Sequence, residues 1–169
     1  KYDDATKLGK DSHSWLGRLN NIRTALQGQQ GDRRLRLGIA GGEWKKMMAD
    51  ATARTRFASE VKKIIEQYDF DGVDFDFEWP ANASEYNNYS ATVIQMRSTL
   101  GKYVYFTASL HPVSFKISPE AIDALDFISY QCYGPAVMRF PYEQFVKDGE
   151  AAVAYGIPKN KLVMGVPFY

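Results

Sequence analysis

Three acidic residues alternate with apolar residues in the segment FDGVDFDFEWP, and they could perform acid–base chemistry. The acidic residues are Asp74, Asp76 and Glu78. The apolar residues between them are Val73, Phe75 and Phe77. Because a β-strand has a period of two residues, the carboxyl groups share one face of the strand and the apolar side chains share the other. Carboxylates within about 7 Å of each other repel, so one shared proton is the expected outcome. A carboxyl group that keeps its proton is what a general acid requires.

Two other interpretations of this strand stay open. If the strand faced solvent, its carboxylates would simply lie in water, although parallel strands are usually covered on both faces. Hard cations bind carboxylates, but carboxylates stacked along one strand make a poor cage for a metal ion. Neither His13 nor His111 has ligand spacing to them. We therefore favour an acid–base site and expect no metal.

The elements that would position these residues alternate between helix and strand. The predicted strands cover 33–40, 70–77, 103–110, 126–133 and 161–169. Two of the predicted helices begin near Ser12 and near Ser118, and three more cover about 51–68, 84–100 and 142–155. This alternation is typical of βαβ units around a parallel sheet, and we find no linker or internal repeat that would divide residues 1–169.

Two α/β architectures fit five such strands. One is an open doubly wound sheet, and the other is part of a (β/α)8 barrel. A whole barrel takes about 250 residues, and five-eighths of that is roughly 156. The 169 residues therefore fit a partial barrel that lacks its first two strands and its last. Glu78, the last of the three acidic residues, would then lie at the carboxyl end of its strand, where such barrels place their active sites.

The composition excludes several classes of partner. A formal net charge of +1 argues against nucleic acid and against anionic membranes. The chain has no apolar run near the length of a membrane helix, about 20 residues, and no signal peptide is visible in it. The one cysteine, Cys132, cannot form an internal disulfide.

The acidic strand resembles a known family. The pattern Asp71-Gly72-x-Asp74-x-Asp76-x-Glu78 is similar to the DGxDxDxE signature of family 18 glycoside hydrolases, the chitinases and their relatives. Three other segments resemble, in order, the third, sixth and seventh strands of that family. They are Gly41-Gly42 with Trp44 close behind, Tyr133 at the end of ISYQCY, and MGVPFY at 164–169.

The resemblance implies a substrate-assisted retaining mechanism without a cofactor. Glu78 would protonate the glycosidic oxygen, and the 2-acetamido carbonyl of the substrate would attack the anomeric carbon. Asp76 would hold the acetamido N–H, and Asp74 would share a proton or a hydrogen bond with Asp76. Tyr133 would donate its hydroxyl to the acetamido oxygen. The resemblance also implies a cis peptide bond between Glu78 and Trp79.

The resemblance further suggests which residues contact the sugar. These are Trp44, Trp79, Gln131 and Tyr169. The chain departs from the family at three positions. Ile39, or Gly38 if the register shifts by one residue, replaces a serine that supports Asp74. Gln131 replaces a methionine, and Gly134 replaces an aspartate or asparagine.

We therefore expect hydrolysis of β-1,4-linked N-acetylglucosamine polymers, namely chitin or chitooligosaccharides. The alternatives are an endo-β-N-acetylglucosaminidase that acts on N-glycan cores and a non-catalytic sugar-binding protein of the same fold. The family implies a secreted or cell-surface location. We expect the 169-residue chain alone to be inactive and to self-associate through open sheet edges.

Overall fold

A computed structural model of the protein describes residues 15–27, 33–134 and 141–168. The chain divides into two compact units, Lys1–Leu35 and Arg36–Tyr169. The described part of the first unit contains one helix, α1 (Trp15–Gln27), in which Gly17 and Leu19 are buried. The predicted start of this helix, near Ser12, lies outside the described residues. All of the predicted catalytic residues belong to the second unit.

The second unit is built on a parallel sheet. Its strands, within the described residues, are β1 (Arg36–Ala40), β2 (Gly72–Asp76), β3 (Tyr105–Leu110), β4 (Phe127–Gln131) and β5 (Leu162–Gly165). The strands are hydrogen-bonded in the order β1-β2-β3-β4-β5. A doubly wound sheet reverses its strand order at a switch point, whereas this order follows the chain throughout. The sheet therefore matches consecutive strands in the wall of a (β/α)8 barrel, as predicted.

Helices connect the strands. They are α2 (Trp44–Ala49), α3 (Ala51–Gln67), α4 (Ala83–Leu100), α5 (Pro119–Ala124) and α6 (Tyr142–Tyr155), with a 3-10 turn at Lys159–Lys161. The Ser118 side chain accepts a hydrogen bond from the N–H of Ala121, which confirms the predicted start of α5. In the part of the chain that the structure describes, no helix is long and apolar enough to cross a membrane.

The sequence did not predict α2. This helix has only six residues, and the side chain of its N-cap residue, Glu43, makes no capping hydrogen bond. Its apolar face consists of Trp44 and Met48, both buried, and of Met47, which is partly buried and packs against the core. Asp50 ends α2 and caps α3, so the two helices follow each other without a loop. The helix predicted over about 51–68 is α3, and α2 precedes it.

The strands are also shorter than predicted. The predicted strand over 126–133 forms only at Phe127–Gln131, because its ladder to β5 ends at the pair Gln131 and Gly165. Beyond it, the Tyr133 carbonyl oxygen lies 3.0 Å from the Nε2 atom of His111 instead of joining the ladder. The residues past the strand ends thus form the loops at the carboxyl edge of the sheet.

The apolar face of β2 packs into the core. Val73, Phe75 and Phe77 are at most 2% exposed. The Phe75 ring lies 4.8 Å from Phe106 of β3 and 5.9 Å from Phe57 of α3, measured between ring centroids. Burial of each large apolar side chain contributes about 1.5–3 kcal/mol to stability. This packing fixes which face of β2 carries the carboxyl groups.

We predict that Gly72→Ala destabilises the protein by about 1–3 kcal/mol, as overpacking does elsewhere. A Cβ atom at position 72 would lie 1.9 Å from the carbonyl oxygen of Tyr105, so β2 and β3 would have to separate. Gly38→Ala in the neighbouring strand is the matched control, because its Cβ meets nothing within 4 Å. Urea unfolding of both variants provides the measurement. Equal stabilities would show that the close approach of β2 to β3 does not limit the fold.

Candidate active site

The polar face of β2 carries the carboxyl groups that the sequence singled out. Asp74 and Asp76 are half-buried, and Glu78, just beyond the carboxyl end of the strand, is exposed. Asp74 lies beside Gly38 of β1 and Thr107 of β3 in the strand register. The three groups therefore run from the sheet interior towards its carboxyl edge on one face, as the alternation predicted.

Asp74 is surrounded by hydrogen-bond donors. The Ser109 hydroxyl donates to its Oδ2 atom at 2.9 Å, and the Thr107 hydroxyl donates to its Oδ1 atom. The Nη1 atom of Arg36 lies 3.5 Å from the same Oδ1 atom and also donates to the Thr107 hydroxyl. Both carboxylate oxygens of Asp74 therefore accept hydrogen bonds.

Asp76 has a different environment. Its Oδ1 atom accepts a hydrogen bond from the Gln131 side-chain amide at 3.0 Å. Burial raises the pKa of the Asp76 carboxyl, the Gln131 hydrogen bond opposes that rise, and the charge of Asp74 adds to it. The burial of Asp76 and the charge of Asp74 thus favour the protonated form of Asp76. The sharing of a proton or a hydrogen bond between Asp74 and Asp76 stays a prediction.

Glu78 also holds its proton more firmly than a free glutamate. The residue as a whole is exposed, but the partial desolvation of its carboxyl group raises its pKa, and the charge of Asp76 raises it further. Repulsion between the carboxylates was the cause expected from the sequence. In the structure, desolvation is the larger cause and repulsion the smaller one.

Tyr133 lies at the same edge, just after β4. Its ring approaches β5 so closely that a Cβ on Gly165 would lie 3.3 Å from the ring. The fully buried imidazole of His111 holds the backbone carbonyl of Tyr133. The structure thus brings the end of β4 to the carboxyl edge that Glu78 also occupies.

Trp79 follows Glu78 through a cis peptide bond, as the family resemblance implied. Its ring is half-buried and lies 4.7 Å from the imidazole of His111, between ring centroids. Within the described part of the chain, the indole Nε1 atom is buried without a hydrogen-bond partner. Trp79 remains a candidate for sugar contact.

The prediction that Trp44 contacts sugar is wrong for this structure. Trp44 is only 6% exposed, and its ring packs edge-on against Tyr89 at 6.2 Å and tilted against Phe77 at 5.9 Å. The turn between β1 and α2 explains this placement. Gly41 and Gly42 both have left-handed backbone conformations, with φ of 71° and 76°, and α2 then places Trp44 on the core side of β2.

The register also decides which residue takes the place of the family serine. Gly38 pairs with Asp74, whereas Ile39 pairs with Phe75 and so shares the apolar face. Gly38 is thus the residue beside Asp74, and it offers no hydroxyl. The hydroxyls of Thr107 and Ser109 on β3 bond to Asp74 instead.

Four further predicted residues complete the comparison between sequence and structure. The Asp71 carbonyl accepts a hydrogen bond from the N–H of Tyr105 at 2.9 Å, next to Gly72 at the start of β2. Gln131 is 8% exposed and supports Asp76. Gly134 is half-buried. Tyr169 lies outside the described residues.

Arg36, Thr107 and Ser109 are members of this site that the sequence did not predict. The period of two in YFTASL places Thr107 and Ser109 on one face of β3, so this signal was available. Arg36 lies on the same face of β1 as Gly38, and a charged residue is rare on an inner face of a sheet. In the part of the chain that the structure describes, no group of three or more acidic, histidine or cysteine residues is arranged to hold a metal ion.

Comparison with known proteins identifies the family. The model of the glycosyl hydrolases family 18 matches residues 2–169, so the chain belongs to that family. A class V chitinase of Arabidopsis thaliana is 25% identical over 166 residues, which cover 79% of this chain and 44% of that protein. An endochitinase of Manduca sexta is 28% identical over 171 residues, which cover 78% of this chain and 31% of that protein.

Solved structures share the fold. A chitinase from Trichuris suis superposes with a TM-score of 0.75 at 21% identity, and the match covers 94% of this chain and 52% of that one. A class V chitinase from Nicotiana tobaccum, solved in complex with NAG4, gives a TM-score of 0.69 at 18% identity and covers 90% and 53% of the two chains. The chain thus spans about half of each solved neighbour and less than half of the curated relatives, and its strands form part of a (β/α)8 barrel.

The raised pKa of Asp76 predicts a specific pH dependence of stability. Its folded pKa lies above the unfolded value of 3.8, so between the two values the folded state binds more protons than the unfolded state. The free energy of unfolding of the wild type should therefore fall, relative to Asp76→Asn, as the pH rises through this window. Urea unfolding between about pH 3 and pH 7 measures it. Asp123→Asn on the exposed surface of α5 is the control, and identical pH profiles for the two variants would contradict the prediction.

Proposed function

We propose that the protein containing this chain hydrolyses β-1,4-linked N-acetylglucosamine polymers, namely chitin or chitooligosaccharides. The observation that supports this most is the position of Glu78, which is exposed at the carboxyl edge of β2 with a raised pKa. A general acid needs access to the substrate and a pKa raised towards the working pH, and the exposure of Glu78 and the direction of its pKa shift both support this role. Membership of family 18 supports the same reaction class.

In the proposed first step, Glu78 donates its proton to the glycosidic oxygen as the bond to the leaving sugar breaks. The carbonyl oxygen of the substrate's own 2-acetamido group attacks the anomeric carbon and forms an oxazolinium ion. Glu78, now ionised, then removes a proton from the water that opens this ring. The configuration at the anomeric carbon is retained because it is inverted twice.

Asp76 and Tyr133 would handle the acetamido group. An ionised Asp76 accepts the acetamido N–H and stabilises the positive charge that develops on the oxazolinium ion. Tyr133, at the end of β4, would donate its hydroxyl to the acetamido oxygen and orient it for attack. The hydrogen bond from Gln131 keeps Asp76 on the site face of the sheet, 3.0 Å from the amide nitrogen.

Other parts of the proposal concern binding and organisation. Trp79, Gln131 and Tyr169 would contact sugar, with Trp79 offering an aromatic face beside His111. Residues 1–169 would form one segment of a single catalytic domain whose barrel is completed by strands outside this sequence. The protein would be secreted or lie on the cell surface, as its family membership suggests.

The central test replaces the proposed acid. In the full-length protein, Glu78→Gln should lower kcat on a chitooligosaccharide by at least about a hundredfold, because the amide cannot donate an acidic proton. The dissociation constant for the same sugar should stay close to wild type, since the shape of the site is kept. Glu150→Gln, an identical change on the exposed face of α6, is the matched control.

Each outcome distinguishes a candidate function. Hydrolysis by Glu78→Gln within about tenfold of wild type would contradict the assignment of Glu78 as general acid. Binding without hydrolysis by the wild-type protein would favour a non-catalytic sugar-binding protein. Cleavage of an N-glycopeptide core in preference to chitooligosaccharides would favour an endo-β-N-acetylglucosaminidase.

A further inference from the structure

One arginine side chain contacts Asp74 from the amino-terminal end of the sheet. Arg36 begins β1 and lies on the same face of the sheet as Asp74. Its guanidinium carbon lies 4.7 Å from the centroid of the Phe127 ring on β4, a cation–π distance. The Nη1 atom reaches Thr107 and Asp74. One side chain thus contacts the three strands that follow its own.

The hydrogen bonds around Arg36 link it to Asp74 both directly and through Thr107. A guanidinium group only donates, so the Thr107 hydroxyl must accept from Arg36. The Thr107 hydroxyl donates to Asp74, and the Val73 carbonyl oxygen at 3.5 Å is its other acceptor. Ser109 donates to the other carboxylate oxygen. Both oxygens of Asp74 therefore face hydrogen-bond donors.

The charged and titratable groups around Asp74 also make Arg36 its positively charged partner. Arg36 on β1 supplies the positive charge, and Asp76 on the same strand supplies a negative one. Tyr89 on α4 is fully buried, and burial together with the charges of Asp74 and Asp76 keeps its phenol neutral. The groups contributed by β3 are the neutral hydroxyls of Thr107 and Ser109. Arg36 is thus the one cation that the described residues place against Asp74.

We propose that Arg36 is a positioning residue that, together with Thr107, holds the Asp74 carboxyl group in a fixed place next to Asp76 on the site face of β2. The inference rests on the proposed function where it concerns turnover. It gives Arg36, which touches no substrate atom in the proposed mechanism, a part in keeping the catalytic carboxyl groups aligned.

Kinetics of Arg36→Met in the full-length protein test this role. We expect kcat to fall by about ten- to a hundredfold, as misplacement of catalytic groups does elsewhere. KM should stay within about threefold, since uniform binding is not removed. Arg36→Lys keeps the charge and should recover part of the loss.

Two further variants separate this role from a general loss of structure. Thr107→Val removes the bridging hydroxyl at nearly constant shape and should lower kcat as Arg36→Met does. Arg54→Met removes a half-buried cation of α3 that donates to the Met48 carbonyl, and it should leave kcat and KM unchanged. Wild-type kcat in Arg36→Met would overturn the inference while leaving the proposed function intact.

A double-mutant cycle gives a readout that does not need activity. The free energy of unfolding is measured for wild type, Arg36→Met, Asp74→Asn and the double variant. We expect a favourable coupling between the two residues near pH 7, because the Arg36 guanidinium lies 3.5 Å from the Asp74 carboxylate. The absence of coupling at neutral pH would overturn the inference. A wild-type protein that shows this coupling but hydrolyses no substrate would contradict the proposed function alone.

Discussion

The placement of three carboxyl groups on one face of a single strand is the constraint on which the rest of the site depends. The period of β2 places Asp74, Asp76 and Glu78 there, where desolvation raises the pKa of Asp76 and of Glu78 and the neighbouring negative charge adds to the rise. The structure gives each group a different environment. Asp74 receives three donors, Asp76 receives one amide, and Glu78 is exposed to solvent. Different environments allow the three carboxyl groups different chemical roles.

The apolar face of the same strand keeps those environments in place. Phe75 and Phe77 lie 5.2 Å apart between ring centroids and pack against rings from the surrounding helices and β3. A shift of β2 by one residue would exchange the two faces and bury the carboxylates among phenylalanines. The close approach of Gly72 to Tyr105 further fixes β2 against β3. Packing on one side of the strand therefore determines the electrostatics on the other.

The sequence predicted the parts of the site that depend on local periodicity. The alternation around Asp74 gave the strand, its two faces and the exposed acid, and the Ser118 cap gave the start of α5. The sequence could not predict contacts that depend on how distant segments pack. Arg36 meets Thr107 across 71 positions of the chain, and Trp44 enters the core because of the direction in which the glycine turn sends α2. Neither outcome is visible in the spacing of nearby residues.

In the proposed mechanism the nucleophile belongs to the substrate, and the carboxyl groups of the enzyme transfer protons and stabilise charge without forming a bond to the sugar. A thiazoline derivative of chitobiose, a stable sulfur analogue of the oxazolinium ion, tests this most directly. We expect it to inhibit the full-length enzyme competitively and to bind at least about a hundredfold more tightly than chitobiose itself. Inhibition no stronger than that by chitobiose, from an enzyme that still hydrolyses chitooligosaccharides, would contradict it.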